Sequence, residues 1–328
     1  MAILTLEELS RKWLLLSVGE NIKSVRIDSS TIPDLFIGFH PDGRRCLVLQ
    51  LPSSYKADFQ SSIKQNLSLE LFPQTRWVIL TLLDSQYSDL FDDLIFSIYY
   101  KIWALEDPAL YVGELLKTYY KWSEFFQNRT STTLSEEAIR GMFGELVYLR
   151  ERLDATPALQ VNDLLRSWKG PYDTGHDFIT DDKDVEVKTR IIDTNIVHIS
   201  SESQLMEDAG KQLTLVVVSI KPNLEGSTLR EVVVDSADKV IHKLGDFTII
   251  LRALAQKGIT VNMLSAYDHL RFHINDITAY SCTTDGFPRI TSSLLPTGVT
   301  HVSYKLNLSA LKPFMIERKE FYGNTGVL

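Results

Sequence analysis

The chain has 328 residues, 44% of them hydrophobic and 23% charged, ordinary proportions for a folded protein with ample core material. The formal net charge of −8 excludes a protein that coats nucleic acid by charge alone, and no apolar run reaches the roughly 18 residues a membrane span needs. Cys46 and Cys282 are too few and too far apart for a disulfide framework or a thiolate metal site, and the N-terminus lacks a basic, signal-like segment, so the cytoplasm is the expected compartment.

Residues 1–20 read as a helix, with Leu6, Leu9, Trp13, Leu14 and Leu16 at near-helical spacing and Gly19 as its stop. Residues 23–85 read as β-rich: Phe36–Phe39 and Cys46–Leu49 flank the turn His40-Pro41-Asp42-Gly43, and Leu67–Leu71 and Trp77–Leu83 supply two further strands. Helices are predicted over Tyr87–Leu105 and Pro108–Gln127. The aromatic residues of the second, among them Tyr111, Tyr119, Trp122 and Phe126, sit at the spacing of a packing face rather than a base-stacking one. The polar stretch Gln127–Thr132 places a domain boundary after residue 128.

Thr133-Leu134-Ser135-Glu136 is a capping box that opens a helix to about Leu153, with Ile139, Met142, Phe143, Leu146, Leu149 and Leu153 as its apolar stripe. Glu145 lies at the edge of that stripe, and the small Ala138 and Gly141 beside it leave room for another backbone.

A hairpin follows. Asp177–Thr180 and Val185–Ile192 are short strand-like runs around a polar turn, and along the second strand Glu186 and Lys188 share one face. A four-residue connection, Asp181–Asp184, sets Thr180 opposite Val185 and Asp177 opposite Lys188; one residue more or fewer sends Asp177 to the other face. Two carboxylates and an ammonium on one pleated surface suit phosphodiester hydrolysis. Carboxylates offer hard oxygen ligands to Mg²⁺, and a lysine can hold the attacking water or neutralise charge on the phosphate. A solvated hairpin with ordinary surface charges is the competing explanation, and the residue count of 9 basic against 16 acidic side chains over 131–220 fits either.

Beyond it, Ile191–Ile199 reads as strand, turn and short strand. Ser201-Glu202-Ser203-Gln204 is a second capping box for a helix to about Lys211, and Leu213–Ile220 is a buried strand. Asp177-x8-Glu186-x-Lys188, without the proline that often precedes the aspartate, resembles the PD-(D/E)XK nuclease superfamily. The order helix, strands, helix, strand resembles its restriction-endonuclease-like αβββαβ core. The resemblance implies Asp177, Glu186 and the helical Glu145 as ligands of Mg²⁺, for which Mn²⁺ can substitute. It also implies Lys188 as the residue that positions or activates water, and Gln204 as an auxiliary if it is not merely the cap of Ser201. The elements Gly141–Leu146, His176-Asp177-Phe178 and Glu186–Thr189 further resemble a bacterial family of PD-(D/E)XK motif proteins. That resemblance implies DNA as substrate, and a helicase-like ATPase and a DNA methyltransferase as companions in a restriction or phage-defence system. A homodimer is a possible way to cut both strands.

Residues 221–328 carry a helical section over Ser236–Lys257, interrupted at Gly245-Asp246, then strands at Leu270–Ile274, Ile277–Cys282 and Val302–Leu308. This is the only part with a positive balance, 12 basic against 10 acidic residues, and Arg271, His273, Arg289 and Lys305 are candidate phosphate contacts. His176 and Arg190 join Arg289 as candidate substrate contacts near the hairpin, although His176 on the opposite side of its strand would be a packed residue. The expected fold is therefore α/β (α+β), in three parts: an N-terminal α+β domain (1–128), a nuclease-like core (129–220) and a C-terminal α+β segment (221–328). No phosphate-binding Gly-x-x-x-x-Gly-Lys loop and no Ser-His-Asp order occurs, so any ATPase activity belongs to a partner.

Overall fold

The computed structural model describes residues 4–64, 66–127, 134–172, 175–299 and 301–321. By their contacts these fall into two compact units, one of residues 1–131 with 254–262 and one of 132–253 with 263–328.

In the first unit, helix α1 (Leu6–Leu14) starts at Thr5 through a capping box in which Thr5 and Glu8 satisfy each other's backbone N–H groups. It ends at Leu14, ahead of the Gly19 stop expected from sequence. Six strands follow: β1 (Lys23–Arg26), β2 (Asp34–Phe39), β3 (Arg45–Gln50), β4 (Ser62–Ile63), β5 (Leu67–Phe72) and β6 (Trp77–Leu82). They form one antiparallel sheet in the order β1-β2-β3-β6-β5-β4. Helices α2 (Ser88–Ile102) and α3 (Pro108–Trp122) pack on each other. Tyr111, Tyr119, Trp122 and Phe126 are all buried, so the aromatic stripe is core.

The second unit opens with α4 (Glu136–Ala155), capped by Ser135, whose hydroxyl accepts from the Ala138 N–H. The Thr133 expected as its cap lies outside the described residues. A short α5 (Val161–Ser167) leads to β7 (Phe178–Ile179), β8 (Lys183–Ile191), β9 (Ile196–Ile199) and β10 (Gln212–Ser227). Helices α6 (Leu229–His242) and α7 (Thr248–Gln256) reproduce the interrupted helical section. Strand β11 (Phe272–Ser281) merges the two strands expected there. Then come β12 (Tyr304–Asn307) and β13 (Met315–Glu320).

The main sheet has the order β13-β11-β10-β8-β7, with β8 and β10 parallel and the other pairs antiparallel. On one face Val185, Val187, Val216 and Val218 lie under α4. On the other, Leu215 and Val217 join a buried cluster with Tyr280, Cys282, Leu306 and Leu311. At Gly144 α4 comes close to β8, since a Cβ there would collide with Thr189 Oγ1. Gly141, the small residue favoured from sequence for this approach, faces open space.

The α+β class is thus as expected, with two corrections to its details. Strand β10 runs straight through the boundary placed at residue 220. And no helix forms over 201–211: the crossover from β8 to β10 is made by β9, which pairs with β12 in a separate two-stranded sheet, and by turns. Only Leu205 anchors those turns in the core, too little burial to offset the cost of starting a helix. The side chain of Gln204 is spent elsewhere, as shown below.

Candidate active site

The hairpin forms with a tighter turn than expected. The Thr180 N–H donates to Lys183 O at 2.9 Å, and the Thr180 hydroxyl accepts from the Lys183 N–H at 3.1 Å, so only Asp181 and Asp182 connect the strands. Phe178 pairs with Val185 and Ile179 with Asp184, two residues away from the expected register. An even shift leaves each side chain on its original face. Asp177 therefore still comes to the Glu186–Lys188 segment.

Strand β7 ends there, and the carboxylate takes over its role. In a continued ladder the residue opposite Val187 would accept its N–H; instead Asp177 Oδ2 does, at 2.7 Å. The Asp177 carbonyl accepts from the N–H groups of Lys169 (2.6 Å) and Gly170 (3.0 Å), fixing the residue from both ends. Glu145 reaches the same place from α4, where Trp168 Nε1 donates to its Oε2 at 2.8 Å. Between the two carboxylates sits Gly170. A Cβ there would lie 2.8 Å from Asp177 Oδ1 and closer still to Glu145 Oε2.

Two carboxylates from different elements thus crowd a point that only a glycine leaves open. Paired hard oxygen donors of this kind fit Mg²⁺, which takes one or two carboxylates and keeps several waters. Among the described residues no three His, Cys, Asp or Glu side chains stand together as a ready-made metal cluster. Water and a substrate oxygen would complete the shell. A methyl group at Gly170 would push the carboxylates apart, so Gly170→Ala is expected to weaken Mn²⁺ binding about 10–100-fold, the size of effect of groups that orient ligands. Isothermal titration of the folded variant checks this, and wild-type affinity would show the two carboxylates to be irrelevant to metal.

Glu186 is 2% exposed and its pKa is pushed up to about 8, first by burial and then by the nearby charge of Asp177, against the opposing pull of Lys188. Lys188 Nζ lies 2.7 Å from Glu186 Oε1 and donates to Gln204 Oε1 at 3.0 Å. An ammonium has three donors, so one remains for water or a phosphate oxygen. Gln204 Oε1 also accepts from the Ser200 N–H at 2.8 Å. With both lone pairs filled, Gln204 caps no helix and acts on the site through Lys188.

The weaker candidates are placed differently. His176 is buried, with Nδ1 3.7 Å from Asp184 Oδ2, which makes it a packed residue rather than a substrate contact. Asp184 is fully buried and pairs with Lys211 Nζ at 3.1 Å. Arg289 is tied to Leu205 O (3.2 Å) and Glu207 (3.0 Å), where it braces the 200–211 crossover. Arg271 pairs with Glu231. Arg190 donates to Ser219 Oγ and to two carbonyls of the following turn. Reading from sequence missed Gly170, Trp168 and the Asp184–Lys211 pair. The dipeptide Gly170-Pro171 signalled only a turn.

Residues 5–309 match the model of the family described as "Putative PD-(D/E)XK family member, (DUF4420)". The chain belongs to this PD-(D/E)XK-like family. No curated protein and no solved structure matches it. No helix among the described residues is long and apolar enough to cross a membrane.

Proposed function

We propose that this protein is a divalent-metal-dependent DNA endonuclease. The observation that carries the proposal is the convergence of Glu145 and Asp177 on Gly170, beside the buried Glu186–Lys188 pair. In this reading Asp177 and Glu145 hold Mg²⁺ or Mn²⁺, and Glu186 joins them once it loses its proton. The metal would polarise the scissile phosphate and acidify a water. Asp177 stays oriented through Val187 N–H and the Trp168–Gly170 turn. Lys188, steadied by Gln204, presents its remaining donor to the attacking water or to a non-bridging phosphate oxygen, where charge builds up during displacement. Burial of Glu186 keeps bulk water from that side.

A cytoplasmic restriction or phage-defence role fits this chemistry, with a methyltransferase to mark self DNA and a helicase-like ATPase to drive the complex along it. A homodimer would supply a second centre for the other strand. A second reading is a nuclease-fold DNA-binding or scaffolding module that does not cut. It is favoured by one observation: Glu186 is buried and already engaged by Lys188 at 2.7 Å, and burial pushes its pKa up, which disfavours the charged form a metal ligand needs.

Incubation of supercoiled DNA with Mg²⁺, Mn²⁺ or EDTA separates the two. Metal-dependent nicking that falls at least about 100-fold in Lys188→Ala is expected, in line with the loss of a charge-stabilising donor. A folded wild-type protein that binds DNA but neither binds Mn²⁺ nor nicks would establish the module instead.

A further inference from the structure

Along β8 the face that carries Glu186 and Lys188 continues to Arg190, and beside Arg190 the sheet opens into a pocket of about 130 Å³. Arg190, Ser219, Asp276, Tyr280, Lys312 and Arg318 are among its walls. We propose that this pocket binds a phosphate group of the DNA strand neighbouring the one held at Lys188. The inference rests on the nuclease reading and deepens it.

Three observations support it. The first is charge. Three cationic side chains and one carboxylate line the pocket, in a unit whose carboxylate centre is otherwise acidic. The carboxylate, Asp276, is 6% exposed and already satisfied: Ser219 Oγ donates to its Oδ1 at 3.2 Å and Thr278 Oγ1 at 2.8 Å, and Arg318 Nη2 lies 3.6 Å from Oδ2. It fixes the surrounding donors without cancelling the excess positive charge; Arg318 also touches Glu320 at 3.2 Å.

The second is preorganisation. Arg190 donates through Nε to Ser219 Oγ at 3.0 Å and through Nη1 to Ile192 O at 3.1 Å and to Thr194 O. Its guanidinium is held in place by these bonds, and its Nη2 hydrogens remain to donate to an oxyanion. The third is spacing. Lys188 and Arg190 are two residues apart on one strand face, about 6.6 Å, which is comparable to the step between adjacent phosphates of an extended strand. The pocket holds one phosphate with its nearest waters and is too small for a whole nucleotide.

The test is a Lys312→Ala/Arg318→Ala double variant, on elements other than those that carry Glu145, Asp177 and Glu186, with Lys221→Ala as an exposed control on β10. Affinity for a short fluorescein-labelled duplex is followed against NaCl concentration, and Mn²⁺ and inorganic phosphate binding are measured on the same proteins. The double variant is expected to bind the duplex about tenfold more weakly, with a salt slope shallower by about 1, as one lost phosphate contact requires. Mn²⁺ binding should stay at the wild-type value and Lys221→Ala should behave as wild type. An unchanged slope and affinity, or an equal loss in Lys221→Ala, overturns the subsite. Loss of inorganic phosphate binding with unchanged duplex affinity also overturns it, because the pocket would then serve a free anion. Wild-type protein that binds duplex with the expected slope but no Mn²⁺ would instead sink the nuclease reading and leave the phosphate pocket standing.

Discussion

Asp177→Asn is expected to abolish metal-dependent cutting while leaving the fold intact. The amide keeps an oxygen that can accept from the Val187 N–H, so the cap on β8 survives and the stability change stays within about 1 kcal/mol. What disappears is a negative oxygen in the Glu145–Asp177 pair. Groups that merely orient a metal ligand are worth about 10–100-fold in affinity, so loss of a ligand itself should exceed about 100-fold. Mn²⁺ titration, plasmid nicking and thermal unfolding on one preparation give the three readings. Wild-type Mn²⁺ affinity would remove Asp177 from the metal site. The same variant carries an internal check: the Asp177 charge helps to raise the pKa of Glu186, so in Asp177→Asn that pKa should fall below its value of about 8.

The second large effect concerns Glu186 and pH. Its folded-state pKa of about 8 stands above the ordinary 4.5, so between these pH values the folded protein holds a proton that the unfolded chain has released. The contribution of this group to stability is full below about pH 4.5 and is lost as pH rises through 8. For a side chain this buried the loss is of order a few kcal/mol. Glu186→Gln keeps an acceptor for Lys188 and cannot ionise. Urea unfolding without metal should therefore show the variant more stable than wild type at pH 8.5, with the difference vanishing near pH 5. Parallel curves for the two proteins would mean that Glu186 is an ordinary carboxylate. In wild type, metal binding must drive this proton off, so Mn²⁺ affinity should rise with pH over the same window, accompanied by proton release. Under the nuclease reading Lys188 and the metal compete for this one carboxylate, so cutting is expected to be fastest in mildly alkaline solution.

Much of this protein follows from local patterns. The hairpin of β7 and β8, the α4 stripe, the break between α6 and α7 and the turn at Gly43 were legible because alternation, helical spacing and turn residues act over a few neighbours. So was the grouping of Asp177 with Glu186 and Lys188, which tolerated a mistaken turn because the register error was even. A capping box of the same local kind, Thr228 with Glu231, starts α6 earlier than the expected Ser236.

The sequence by itself determined which residue types lie on which strand face, and so that Glu186 and Lys188 project from the same side of β8. Tertiary structure alone decided three things. It chose turns over a helix at 201–211, because one buried leucine could not support a nucleus and Gln204 was drawn to Lys188. It brought Glu145 and Asp177 around Gly170 from segments 32 residues apart in number, a meeting that no spacing rule encodes. And it raised the pKa of Glu186, because desolvation depends on what covers a side chain and not on what flanks it in the chain.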